Sequence, residues 1–195
     1  MEDPMTKTTI IAFVCTLLAA CTQEELQNDI GADSSDLITD TGADFEGTAF
    51  EPDSVEALFY EGENPVWVLT AKDDETWLYI ENYPSFDGAT NAETRTLDDT
   101  DVNYATCGVC VLLKTGCQQH GDHGHCARTY MPEVGSRVTF DELGDEVGSN
   151  WSGSTSPMRF VEVSIDSATY ETTPLSDGDT IDLSSWTFEA VLEEG

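Results

Sequence analysis

Short apolar runs separated by turn residues constrain the fold of this chain most strongly. From residue 44 onward, Val, Thr, Tyr, Phe and Trp cluster in such runs, with Gly, Pro, Asn and Asp between them, which is the pattern of strands and turns. One run alternates cleanly, with Val161, Val163 and Ile165 on one face and polar residues on the other. About ten such runs predict an all-β fold for residues 44–195, a single antiparallel β-sandwich of jelly-roll type.

The first residues of the chain have the features of an export signal. An apolar run over residues 8–21 is too short to span a bilayer as a helix, and small residues precede its final cysteine, as at a signal-peptidase site. Residues 1–20 are therefore predicted to be a signal peptide that is removed. The four residues at its end are Leu18, Ala19, Ala20 and Cys21.

These four residues resemble the lipobox of bacterial lipoproteins. The resemblance implies that Cys21 becomes the mature N-terminus and carries a diacylglyceryl thioether and an N-acyl chain. Several acyl chains hold a protein far more firmly than one, because each buried methylene contributes roughly 0.8 kcal/mol. Thr22 follows the cysteine where related systems place an Asp for retention at the inner membrane, so the resemblance implies an outer-membrane setting facing the periplasm or the cell surface.

Residues 21–43 join this anchor to the strand-rich part of the chain. They are rich in Asp, Ser, Thr and Gly and contain few large apolar residues, a composition that is typical of disorder. Charges of one sign repel one another and extend a linker. This segment is predicted to be an acidic tether between Cys21 and the folded domain.

The charge of the chain is strongly negative. It contains 39 acidic and 7 basic residues, a formal net charge of −32 at pH 7. Such a surface repels nucleic-acid phosphates and anionic lipid headgroups, so nucleic acid is excluded as a partner. Two interpretations of the acidity stay open: adaptation to high salt or plain solubility, and the holding of divalent cations.

One segment, residues 107–126, holds all four cysteines outside the first 21 residues and all three histidines of the chain. Four cysteines in an exported protein predict two disulfides, with three possible connectivities. Each would stabilise the fold by about 3 kcal/mol in the chain-entropy model. Because Val109, Val111 and Leu113 share one strand face, Cys110 is expected on the other. The pairing that this arrangement favours is Cys107 with Cys126 and Cys110 with Cys117.

The same segment also suits a metal ion. Cys107 and Cys110 form a C-x2-C pair, and imidazole and thiolate ligands suit zinc, copper or nickel. The spacing matches no zinc module, and disulfide formation competes for the thiols. A mixed state is also open, in which oxidised cysteines frame a metal-binding loop. The candidate ligands in that loop are His120, Asp122, His123 and His125.

A calcium site is a weaker alternative. Asp99, Asp101 and Asn103 match the first three ligand positions of a calcium loop, but Tyr104 replaces the turn glycine. The chain contains no G-x-S-x-G, no H-E-x-x-H and no phosphate-binding glycine loop. We therefore expect no enzymatic activity and no required cofactor, with a divalent metal ion and an unrecognised hydrolase as the alternatives.

A second resemblance covers roughly the last ninety residues. Segments 108–113, 129–131, 160–163 and 185–188 look like those of uncharacterised cysteine-containing lipoproteins of predatory and social Gram-negative bacteria. The resemblance brings no activity, but it agrees with an outer-membrane setting. The function expected from the sequence is that of a non-catalytic, lipid-anchored envelope protein with a structural or recognition role and an envelope protein or a glycan as partner.

Overall fold

The computed structural model describes residues 47–120 and 123–195, with the backbone alone at His120 and His123. The predicted signal peptide 1–20, Cys21 with the tether 21–43, and Asp122 lie outside the described residues. Within the described ranges the chain forms fourteen strands and one short 3-10 helix. The predicted all-β class is confirmed. No helix in this part of the chain is long and apolar enough to cross a membrane.

The strands follow one another with short connections. Their bounds are β1 Ser54–Tyr60, β2 Val66–Asp73, β3 Thr76–Asn82, β4 Glu93–Thr96, β5 Val109–Thr115, β6 Gln118–His120, β7 His123–His125, β8 Arg128–Pro132, β9 Arg137–Leu143, β10 Asn150–Thr155, β11 Met158–Ile165, β12 Thr172–Pro174, β13 Thr180–Leu183 and β14 Trp186–Glu194. The 3-10 helix is Pro84–Phe86. The alternation read from residues 159–166 corresponds to β11.

Twelve of these strands form one hydrogen-bonded path, in the order β12-β11-β8-β5-β3-β2-β1-β14-β10-β9-β4, with β13 pairing with another part of β11. The β6–β7 hairpin stands apart from it. Pairing is antiparallel except between β1 and β14, which run parallel. Along the path from β1 to β11, only β1, β2 and β3 are consecutive in the chain; other strands intervene before β5, β8 and β11, and the path forms a curled sheet. A sandwich of jelly-roll type, which the sequence suggested, stays a prediction.

Strand β14 joins the two halves of this sheet. Its residues from Trp186 to Val191 pair with β10, and from Leu192 to Glu194 it pairs with β1. Both halves contribute to one core, and the indole N–H of Trp67 in β2 donates to the Gly144 carbonyl beyond β9 at 2.7 Å. The largest fully buried core side chains are Trp151, Tyr130, Phe140, Phe160, Leu69, Leu78, Ile80, Leu97, Leu113 and Leu192.

The other face of β3 and β5 carries a second, smaller apolar cluster. Cys107, Cys110 and Leu112 are buried there, packed against Tyr79, Tyr83, Tyr104 and Ile165. We call the sheet face that carries this cluster the outer face. Alternation along a strand explains it, because Val109, Val111 and Leu113 face the main core while Cys110 and Leu112 face away. The expectation that Cys110 lies on the face opposite to those three residues is correct.

A buried amide fixes the loop that crosses this region. Asn82 is fully buried; its side chain donates to the Ala89 carbonyl at 2.9 Å and accepts from the Ala89 N–H at 2.8 Å. Close packing is enforced nearby, since a Cβ at Gly88 would come within 2.6 Å of both Asn82 Oδ1 and the Gly108 carbonyl oxygen. The amide replaces the strand partner that Ala89 lacks and holds the loop against the start of β5.

Replacing Asn82 with Ala leaves two buried backbone groups of Ala89 without partners. Because each unsatisfied buried polar group costs about 1–3 kcal/mol, we expect the free energy of unfolding to fall by about 2–4 kcal/mol in a urea titration. The matched control is Asn91→Ala, whose exposed amide contacts only Thr90 among its described hydrogen bonds. Equal effects of the two substitutions would contradict this role of Asn82.

Candidate functional site

The cysteines of residues 107–126 form two local pairs. Cys107 pairs with Cys110, with Cα atoms 5.2 Å apart, and Cys117 pairs with Cys126, with Cα atoms 3.9 Å apart. The connectivity favoured from the sequence is therefore wrong. The predicted pairing did not take into account the length of β5. Cys110 and Cys117 lie at opposite ends of this extended strand, roughly 20 Å apart at about 3.3 Å per residue.

The second disulfide closes the β6–β7 hairpin at its base. In this hairpin, His120 is opposite His123 and Gln118 is opposite His125. Opposed residues of an antiparallel pair share a face, as do residues two apart along a strand. The backbone register therefore assigns the positions of all three histidines to one face of the hairpin, and those of Gln119 and Gly124 to the other.

The face with Gly124 packs against the sheet. A Cβ at position 124 would overlap the six-membered ring of Trp77, so only glycine permits this approach. Trp77 lies in β3 and is only 5% exposed. The hairpin thus folds back over the outer face of the sheet, and the face with the histidine positions is the one turned away from Trp77. His125 is exposed.

The metal candidates of residues 107–126 differ in what the structure describes of them. Among the described side chains, which do not include those of His120 and His123, no group of three or more His, Cys, Asp or Glu converges as metal ligands would. The paired cysteines offer no thiolate, because a disulfide sulfur has no charge to give a metal. The loop candidate Asp122 is outside the described residues, so the histidine loop stays a prediction.

Two of the three residues of the calcium candidate, Asp101 and Asn103, accept hydrogen bonds from the backbone. Asp101 is 2% exposed, and its Oδ1 accepts from the N–H groups of Gly108 and Val109, at 3.2 Å each. Asn103 Oδ1 accepts from the N–H groups of Ala105 and Thr172. These oxygens accept hydrogen bonds from backbone N–H groups, among them those at the start of β5 and at β12. The oxygens that the calcium motif would use as ligands therefore stabilise the fold.

A carboxylate held by two phenols adjoins the first disulfide, and the sequence did not point to it. Tyr83 donates to Glu81 Oε2 at 2.6 Å, and Tyr104 donates to the same oxygen at 3.0 Å. Glu81 lies directly opposite Cys110 in the β3–β5 pairing. Burial, followed by the charge of Glu81, raises the pKa of both tyrosines well above the usual value of 10. Both phenols therefore stay protonated and act as donors.

The lysines of the described residues lie over aromatic rings of the same face. The ammonium of Lys72 is 4.7 Å from the centroid of the Trp77 ring, and that of Lys114 is 4.6 Å from the centroid of Tyr79, which are cation–π distances. Burial lowers the pKa of Lys114, and the charge of Glu81 opposes that shift. Because an ammonium covers each ring, Trp77 and Tyr79 do not form an open platform for stacking a sugar.

Comparison of the chain with family models, curated proteins and solved structures returns no match.

The tyrosine–glutamate contact predicts a pH dependence. Folded Tyr83 and Tyr104 hold their protons above pH 10, where unfolded tyrosines ionise. Their contribution to stability is complete below about pH 10 and is lost as the pH rises further. Glu81→Gln removes the charge that opposes phenolate formation, so we expect both tyrosines to ionise at lower pH in a titration of absorbance at 295 nm. The control is Glu56→Gln, an exposed residue of β1; superimposable curves for the two variants would contradict the assignment.

Proposed function

We propose that this chain is a non-catalytic, lipid-anchored envelope protein, attached through Cys21 to the outer membrane and facing the periplasm or the cell surface. The sequence support is the lipobox-like stretch that ends at Cys21, followed by an acidic tether. The proposed role of the folded domain is the recognition of another envelope component. The observation that carries the proposal is the complete pairing of the four cysteines outside the signal-like segment.

This pairing supports export because the compartment determines the state of thiols. Disulfides form and persist outside the cytoplasm, whereas cytoplasmic thiols are kept reduced. Cys107, Cys110, Cys117 and Cys126 are all at disulfide distance from a partner, and each pair is local. Local pairs also form without long-range exchange, which suits a domain that folds after secretion.

Recognition is supported by how the charged groups are arranged. Several of the few cations are already engaged: Lys72 and Lys114 by aromatic rings, and Arg159 by Asp182 in a two-bond ion pair. With a net charge of −32, the remaining surface is acidic and suits cationic partners. Phosphate-rich polymers are repelled by the same surface.

Lipidation is tested at the cysteine that would carry it. In a Gram-negative host fed an alkyne-tagged fatty acid, the full chain is expected to take up the tag and sediment with membranes. Cys21→Ala should lose the tag and the membrane association, because the thioether has no other attachment point. The matched control is Cys15→Ala, which removes the other cysteine of the signal-like segment and should leave both unchanged. Tagging of the Cys21→Ala chain, or no tagging of the natural chain, would overturn the proposal.

A second candidate function is the binding of zinc or copper by the β6–β7 hairpin. The observation that favours it is the register, which assigns the positions of His120, His123 and His125 to one face. The disulfide at the base of the hairpin restricts the conformations of its two strands, and this lowers the entropic cost of gathering ligands. Imidazole is the ligand type that both metals accept.

The histidine hypothesis predicts micromolar binding of zinc or copper by the oxidised chain in a calorimetric titration. Changing His120, His123 and His125 together to Ala should abolish it, because these are all the imidazoles of the chain. The control is Gln118→Ala, at a register position opposite His125, which should bind as the natural chain does. Binding that persists without the histidines would exclude this function.

A further inference from the structure

A groove opens on the outer face of the sheet, where β8 and β11 pair. Its volume is about 560 Å³, within the range of pockets that bind small ligands or side chains. One wall is formed by residues 99–103 and the other by residues 174–180. The apolar residues that line it include Val102, Met131, Val134, Val161, Val163 and Leu175.

The pairing of the two strands explains the apolar floor. Val161 is opposite Met131 in the β8–β11 register, whereas Phe160 is opposite Pro132. Phe160 belongs to the main core, so alternation turns Val161 and Met131 to the outer face. The alternation of β11 read from the sequence therefore produces an apolar floor on the outer face, in which Met131 and Val163 are buried and Val161 is half-buried.

The apolar surface continues from the floor to the solvent. Val134 is 54% exposed and Leu175 is 44% exposed, and both line the groove. Large exposed apolar side chains that adjoin an apolar cavity are typical of a surface that binds a partner. The groove is thus shaped to receive apolar side chains from outside the molecule.

The rim of the groove is acidic. Asp99, Glu133, Glu162 and Asp179 line it, together with no Lys, Arg or His. Arg128, outside the lining, forms ion pairs with Asp179 and with Glu162, the latter at 3.7 Å. Asp99 and Glu133, both exposed, are the two rim carboxylates that Arg128 does not engage.

We infer that this groove binds a basic peptide segment of a partner protein. An aliphatic side chain of the segment lies on Val161, Val134 and Leu175, and neighbouring Lys or Arg side chains pair with Asp99 and Glu133. Charge complementarity selects this occupant, since an anionic lipid or nucleic acid is repelled at this rim and a neutral glycan has no cation to pair with its carboxylates. The groove is the surface that we assign to the proposed recognition role. The inference depends on that role only for the location of the partner.

The test uses fluorescence anisotropy with three labelled peptides and the full natural chain in a neutral detergent. The probe peptide alternates Lys with Leu, a second replaces every Lys with Glu, and a third replaces every Leu with Ser. We expect the Lys-Leu peptide to bind at physiological salt and the other two to bind at least tenfold more weakly. No binding of the Lys-Leu peptide, or equal binding of the Lys-Ser peptide, would overturn the inference.

Paired variants separate the groove from the overall charge. Asp99→Asn with Glu133→Gln should weaken binding of the Lys-Leu peptide at least tenfold. The control, Asp141→Asn with Glu142→Gln, removes the same charge from exposed residues of β9 and should change binding less than twofold. Leu175→Ser should weaken it at least fivefold, against little change for Val191→Ser, which alters an exposed residue of β14.

Equal weakening by the groove variants and their controls would overturn the inference, because the net charge alone would then explain binding. The outcome is independent of lipidation, which the fatty-acid tag reports separately. Peptide binding without fatty-acid tagging would support the groove proposal and contradict the lipid anchor. Tagging without peptide binding would support the lipid anchor and contradict the groove proposal.

Discussion

The structure depends on two short-range disulfides at the ends of one central strand. Cys107–Cys110 joins the loop before β5 to the strand itself, and Cys117–Cys126 closes the hairpin that follows it. Both segments cover the outer face of the sheet, where Leu112 and Trp77 are buried. A curled sheet whose core lies on one side needs such a cover on the other, because exposed aromatic and aliphatic side chains invite association. Local cross-links hold it in place with little dependence on long-range folding.

The outer face also concentrates the polar chemistry of the described residues. Glu81 accepts from two buried phenols, and the ammonium groups of Lys72 and Lys114 lie on rings. These contacts connect the charged groups of this part of the face to its aromatic side chains. Farther along the same face, the groove on β8 and β11 keeps the apolar side chains of Val134 and Leu175 exposed beside an acidic rim. One part of the face is thus closed by internal contacts and the other is open, and the open part is the one to which we assign the proposed recognition role.

Local patterns in the sequence predicted local structure well. The alternation of residues 159–166 corresponds to β11, and the face of Cys110 followed from that of Val109 and Val111. Features that join distant segments were missed, because no periodicity encodes them. The parallel pairing of β1 with β14, the contact of Tyr104 with Glu81 and the packing of Gly124 on Trp77 each join residues more than twenty positions apart. The disulfide pairing was wrong because face alone was considered and distance along β5 was not. Lipidation at Cys21 stays a prediction.

Disulfide mapping of the denatured, unreduced chain tests the central claim most directly. Trypsin cleaves after Arg95, Lys114 and Arg128, so that Cys107 and Cys110 fall in one peptide and Cys117 and Cys126 in the next. The account predicts two separate peptides, each lighter than its reduced form by the two hydrogens of one internal disulfide. A single species in which the two peptides are joined, or peptides whose thiols react with an alkylating agent before reduction, would contradict it.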